Sequence, residues 1–121
     1  MKAAADEAEL GDLVAEATLA AVVFSAKWSR ESQALVQALE AAELEAAESA
    51  VVLVAVDMAE EEGMELAAHH GVTTPPTVHL YARGRKVQEL VGLQATVDTV
   101  RSALKHLQPQ NQVECRLGFA D

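Results

Sequence analysis

The stretch Ala21-Val22-Val23-Phe24-Ser25-Ala26-Lys27-Trp28-Ser29-Arg30-Glu31-Ser32 limits the folds open to this chain more than any other. Residues 20–26 read as a buried strand, because Val22, Val23 and Phe24 are contiguous and apolar, which suits a strand covered on both faces. Trp28 ends that run. Ser29 is a helix N-cap by type, because its hydroxyl can accept a backbone N–H of the first turn. A helical pattern then continues to about Glu48. Leu35, Val36, Leu39 and Leu44 mark its apolar stripe, and Glu40, Glu43, Glu45 and Glu48 lie on or near its other faces. A second buried strand follows at 51–56, closed by Asp57. Strand, helix and strand in this order imply parallel strands joined by a right-handed crossover.

The flanks extend this unit. Leu10, Leu13, Val14 and Ala17 recur at helical spacing and predict a first helix over about 6–18. Residues 59–70 predict a short helix with Met64, Leu66 and Ala67 as core candidates. Glu60, Glu61 and Glu62 sit at its positive end, and Gly71 stops it. Thr73-Thr74-Pro75-Pro76 cannot be helix interior. Thr77–Tyr81 reads as a strand, Arg83-Gly84 as a hairpin tip, Lys86–Val91 as the return strand, and Gly92 as its end or a bulge. Val97, Val100, Leu104 and Leu107 mark a last helix over 95–107. The expected architecture is α/β, with a mixed central sheet of four to five strands flanked by helices. One domain spans 1–107, and Gln108–Asp121 forms a polar tail or linker.

Composition narrows the function. The chain has 121 residues, a formal net charge of −10 and a pI near 4.7. Neither nucleic acid nor an anionic membrane finds a basic surface here. Half of the residues are hydrophobic but only 3% are aromatic, so a core of small side chains is expected. Cys115 is the single cysteine, which rules out an intrachain disulfide, a CxxC pair and a cysteine-based zinc site. The first residues lack a hydrophobic signal segment and no apolar run is long enough to cross a bilayer. A cytosolic setting, with the nucleus also open, is the expectation, and neither cofactor nor metal is expected.

Several motifs in this order resemble the thioredoxin superfamily. Val22 to Trp28 is similar to the strand leading into the family's WCxxC motif. Val54-Ala55-Val56-Asp57 resembles its strand-and-Asp segment, and Gly71-Val72-Thr73-Thr74-Pro75-Pro76-Thr77 its G-[VI]-x-x-x-P-T loop. Arg83-Gly84 and Gly92 stand where the family has its hairpin turn and a Gly after the last strand. The resemblance covers about residues 8–107. It implies the thioredoxin fold, with Pro76 in the cis form beside the Trp28–Ser32 turn. Pro75 is a departure, since it lacks an N–H.

The departures bear on chemistry. Ser29 and Ser32 stand at the two cysteine positions, so the family's CxxC is degenerate here. Disulfide exchange needs a thiolate and a second, resolving thiol. A helix N-terminus lowers a thiol pKa toward neutrality, but a serine hydroxyl is far too weak an acid to be ionised this way. The family's buried Asp, five residues before the Trp, is Val23, and the usual Gly-Pro between the cysteines is Arg30-Glu31. A deliberate Cys-to-Ser knock-out leaves such positions alone, so the pattern reads as a naturally redox-inactive domain.

The remaining polar residues have ordinary readings. No His is expected beside Ser29 or Ser32, so helix capping outranks a hydrolase nucleophile. His69 and His70, adjacent on a helix, diverge by about 100° and read as a solvated helix end rather than chelators. Glu60, Glu61, Glu62 and Glu65 read as a solvated face, and Cys115 as a free thiol. Exposed Trp28, Arg30 and Glu31, with Thr74, Pro75, Pro76, Thr77 and Gly92, are the candidate binding residues. The expected function is docking of a protein partner in that groove or on the acidic helix faces. Asn111–Leu117 is also similar to the linker of multidomain monothiol glutaredoxins, which act in iron–sulfur cluster and redox homeostasis. There a thioredoxin-like domain with a degenerate CxxC precedes a glutaredoxin domain with a CGFS motif. A downstream glutaredoxin domain is therefore a second expected partner. The rival expectation is a Cys-to-Ser form of an active thiol-disulfide oxidoreductase.

Overall fold

The computed structural model describes residues 1–42 and 51–107. In chain order the elements are β1 (Lys2–Ala3), α1 (Glu7–Glu16), β2 (Leu19–Ser25), α2 (Arg30–Ala41), β3 (Val51–Asp57), α3 (Glu61–His69), β4 (Thr77–Ala82), β5 (Arg85–Val91) and α4 (Val97–Leu107). A 3-10 turn, Gly92–Gln94, joins β5 to α4. The helical stripe beyond Ala42, including Glu43, Leu44, Glu45 and Glu48, lies outside the described residues. So do the tail from Gln108, the linker-like stretch and Cys115.

The strands form one sheet in the order β1-β3-β2-β4-β5. β2 runs parallel to β3, as the crossover through α2 requires, and antiparallel to β4. The order and directions match the fold expected from the resemblance. β1 was not expected, because two residues carry no periodic signal. It pairs in parallel with β3, Lys2 opposite Val54 and Ala3 opposite Ala55.

β2 lies at the centre and all seven of its residues are buried. Its side chains alternate between two cores. Ala20, Val22 and Phe24 face α1 and α3, together with Leu10, Val14, Val54, Val56 and Leu66. Ala21 and Val23 face α2 and α4, together with Leu35, Leu39, Leu53, Val78, Val100 and Leu104. The contiguous apolar run is thus explained by burial on both faces. The same holds for β4, whose Thr77–Tyr81 are all buried, so polar Thr77 and His79 do not mark a wet face. At the hairpin tip Arg83 and Gly84 have φ of 52° and 81°, the left-handed pair that a two-residue turn between twisted strands demands.

Met64 is exposed rather than in the core, which corrects the expected stripe of α3. The inward positions are Gly63, Leu66 and Ala67. Gly63 determines this phase. A Cβ built there would stand 1.9 Å from the backbone oxygen of Asp57, so α3 lies directly against the end of β3. Only glycine permits that approach, and Met64, turned about 100° further, faces water. Among the described residues no helix is long and apolar enough to cross a membrane.

Gly63→Ala should therefore destabilise the fold by roughly 1–3 kcal/mol, the usual cost of overpacking, despite alanine's better helix propensity. Thermal unfolding followed by circular dichroism should show a midpoint several degrees lower. An unchanged or raised midpoint would mean that α3 can slide away from Asp57 at no cost.

Candidate functional site

The site is the junction between the end of β2 and the start of α2. Ala26 carries the chain out of the sheet, and Ser29 N–H bonds back to its carbonyl at 3.0 Å. Ser29 is the N-cap of α2, in extended backbone, and its Oγ accepts the Ser32 N–H at 3.2 Å. Ser32 is fully buried. Its Oγ accepts the Ala26 N–H at 3.1 Å and lies 3.2 and 3.0 Å from the carbonyl oxygens of Ala26 and Ser29, to which it donates. Gln33 Nε2 also reaches the Ala26 carbonyl, at 3.2 Å. Both serines are thus bound into the backbone of the turn. Val23 is fully buried in an apolar layer, and no described residue within this junction supplies a base.

Neighbouring loops converge on the same sheet end. Phe24 is opposite Thr77 across β2 and β4, and Thr77 is opposite Val91 across β4 and β5. The residues just beyond, Ser25, Pro76 and Gly92, therefore form a row. The Pro75–Pro76 bond is cis, as the resemblance implied. Gly92, with φ of 59°, turns the chain so that its N–H donates to the Pro76 carbonyl at 3.0 Å. Thr77 Oγ1 donates to the Thr74 carbonyl at 2.8 Å and closes the loop.

Exposure divides the candidate residues into two groups. Trp28 is 60% exposed, and Arg30, Glu31 and Thr74 are exposed as well. Pro75 and Gly92 are half-buried, while Pro76 and Thr77 are buried and shape the surface from below. The sequence reading missed Leu93, which at 98% exposed is the most exposed large apolar side chain among the described residues. It follows Gly92 in the 3-10 turn, and Val91 before it is also exposed. A large apolar residue directly after a strand-ending glycine was the available signal.

A cleft of about 530 Å³ lies elsewhere, between Ala3–Ala5 and the start of α3, with Glu9, Asp57, Glu60, Glu61 and Glu62 on its wall. It gathers Glu60, Glu61 and Glu62 of the face read as solvated, and its Asp57 lies opposite Ser25 across β2 and β3. Among the described residues no group of three or more His, Cys, Asp or Glu is placed to hold a metal ion.

The histidines make contacts that the sequence reading did not reach. His69 and His70 both turn to Glu7 on α1, with Nε2 to Oε2 distances of 3.8 and 2.8 Å, so the end of α3 is tied to α1 rather than merely solvated. His79 on β4 is fully buried against Phe24, with ring centroids 5.0 Å apart. Its Nε2 is 3.0 Å from Glu89 Oε1, yet neither ring nitrogen makes an aligned hydrogen bond. Burial, reinforced by Lys86, outweighs Glu89 and lowers its pKa to about 4. Glu89 is itself held below the ordinary range, mainly by its hydrogen bond from Lys86.

Comparisons with known proteins agree with this geometry. The thioredoxin family model matches residues 2–106. The chain is similar to a mutant thioredoxin from Halobacterium salinarum, at 26% identity and a TM-score of 0.75, covering 88% of this chain and 89% of that one. Fasciola hepatica thioredoxin has 25% identity and a TM-score of 0.75, over 89% and 100% of the two chains. Oxidised thioredoxin from Plasmodium falciparum shares the fold, with a TM-score of 0.72 at 21% identity over 89% and 98%. No curated protein matches this chain.

A buried imidazole held neutral makes the fold acid-sensitive. The unfolded chain takes up a proton near pH 6.5 and the folded one only near pH 4, so stability is full above 6.5 and falls as pH drops between these values. Urea melts at pH 7 and pH 4.5 should differ by roughly 1–3 kcal/mol more in the wild type than in His79→Leu. An equal acid loss in both proteins would clear His79 of this role.

Proposed function

This chain belongs to the thioredoxin family, and we propose that it is a redox-inactive member that works by binding protein at the Trp28 end of its sheet. The observation that carries this reading is the bonding of the two serines. Where a thiol-disulfide enzyme keeps a reactive thiolate and its resolving partner, Ser29 caps α2 and Ser32 is buried and bonded to the turn. Exchange needs two thiols, and the sequence contains one cysteine, far along the chain at 115. The surface above the serines keeps what binding needs. Trp28, Val91 and Leu93 are exposed around a loop fixed by internal hydrogen bonds, so ordering costs on association are small. A cytosolic or nuclear place suits the lone thiol.

The further link to monothiol glutaredoxins of iron–sulfur and redox homeostasis rests on residues 111–117. It requires a CGFS-bearing domain downstream in the same gene.

Exposed Trp is a common energetic anchor of interfaces. Trp28→Ala combined with Leu93→Ser should weaken a protein partner at least about ten-fold by calorimetry, with unchanged circular dichroism. Partner affinity that survives both changes would remove the groove from the mechanism.

The rival reading is a Cys-to-Ser form of an active oxidoreductase. Ser29→Cys with Ser32→Cys in an insulin reduction assay separates the two. Turnover should stay poor, because Val23 offers no carboxylate for proton transfer and Arg30-Glu31 replaces Gly-Pro. Fast turnover would favour the rival.

A further inference from the structure

Lys27 and Arg30 are the only Lys or Arg residues between positions 3 and 82 of a chain with net charge −10. Both are exposed, and they flank exposed Trp28. Among the described residues neither makes an ion pair, although His69, His70, His79, Lys86 and Arg101 each approach a carboxylate. Two exposed cations thus stand within two residues of an exposed aromatic side chain in a chain rich in carboxylates. We propose that this surface takes an extended acidic segment of a partner protein, with an apolar side chain for the Trp28–Leu93 row and carboxylates for Lys27 and Arg30. The proposal rests on the binding reading above and adds the class of partner.

The dimensions fit an extended chain. The row runs across β2, β4 and β5, two strand spacings or roughly 10 Å, which about three extended residues span. Exposed Trp28 follows the β2 end of the row by three residues, and exposed Val91 and Leu93 flank Gly92 at its β5 end. α2 begins at Arg30, and the positive end of its dipole adds to the attraction for a carboxylate.

The nearby acids do not cancel this. Glu31 follows Arg30 on the helix and points about 100° away from it. The Asp57 carboxylate accepts the Ala59 N–H at 2.9 Å and belongs to the β3 end, with Glu60, Glu61 and Glu62 beyond. Those carboxylates repel an acidic segment from the β3 side and so help to fix where it lies. A basic segment would meet Lys27 and Arg30 at its anchor, and a nucleic acid would meet the whole negative chain.

Trp28 is the only Trp, so its fluorescence reads the site directly. The probes are acetylated peptides EELFEE, QQLFQQ and KKLFKK. EELFEE should shift Trp28 emission and bind about ten-fold more tightly than KKLFKK at low salt, with the advantage fading near 0.5 M salt. Lys27→Glu with Arg30→Glu, both exposed positions, should reverse the order. If all three peptides bind Trp28 alike, the acidic preference is wrong and the groove reading stands. If none perturbs Trp28 at millimolar concentration, both fall. Tighter binding of an oligothymidylate than of EELFEE would overturn the proposal in favour of nucleic acid.

Discussion

The Ser32 hydroxyl has one proton and two carbonyls within reach, those of Ala26 and Ser29, and it also accepts the Ala26 N–H. These bonds, made in a buried place where water cannot substitute, hold the exit of β2 to the first turn of α2. The direction of α2, the outward pose of Trp28 and the closeness of the Pro76 loop follow from that junction. Sulfur is larger than oxygen and a weaker donor and acceptor. At position 32 the hydroxyl is therefore the better structural group, and serine here is a component of the fold rather than merely a blocked nucleophile.

The sheet behind the junction is built from small and branched side chains. With few aromatics, Phe24 takes on much of the filling on one side of β2, packed edge-on against His79. An imidazole in that position brings shape at the cost of two ring nitrogens without aligned partners. The Glu89 carboxylate lies 3.0 Å from Nε2. The core is thus well matched at neutral pH and mismatched in acid.

Much of this was legible in the sequence. Long apolar runs located β2 and β3, because burial on both faces leaves no polar position to interrupt them. Ser29 gave the start of α2, and Arg83-Gly84 gave the hairpin, because caps and tight turns depend on local chemistry. Non-local effects were not legible. β1 exists only because β3 offers an edge. Met64 was misplaced because the phase of α3 is set by Gly63 against a distant carbonyl. His70 reaches Glu7 across 63 positions of sequence. At the site, the residue types and the Ser29 cap were readable, whereas the burial of Ser32 and the exposure of Leu93 were not.

The two-residue strand at the start of the described chain has a practical side. β3 reads Val-Val-Leu-Val-Ala-Val-Asp, and β1 is its only neighbour on one side. Lys2, Ala3 and the Ala4 N–H, which reaches the Ala55 carbonyl at 3.1 Å, occupy backbone groups that would otherwise lie open. Remove those few residues and the edge of a mostly apolar strand, rich in valine, is laid bare, the kind of template on which chains stack into aggregates. The guard on that edge is thus a lysine and two alanines, in a chain whose formal net charge is −10.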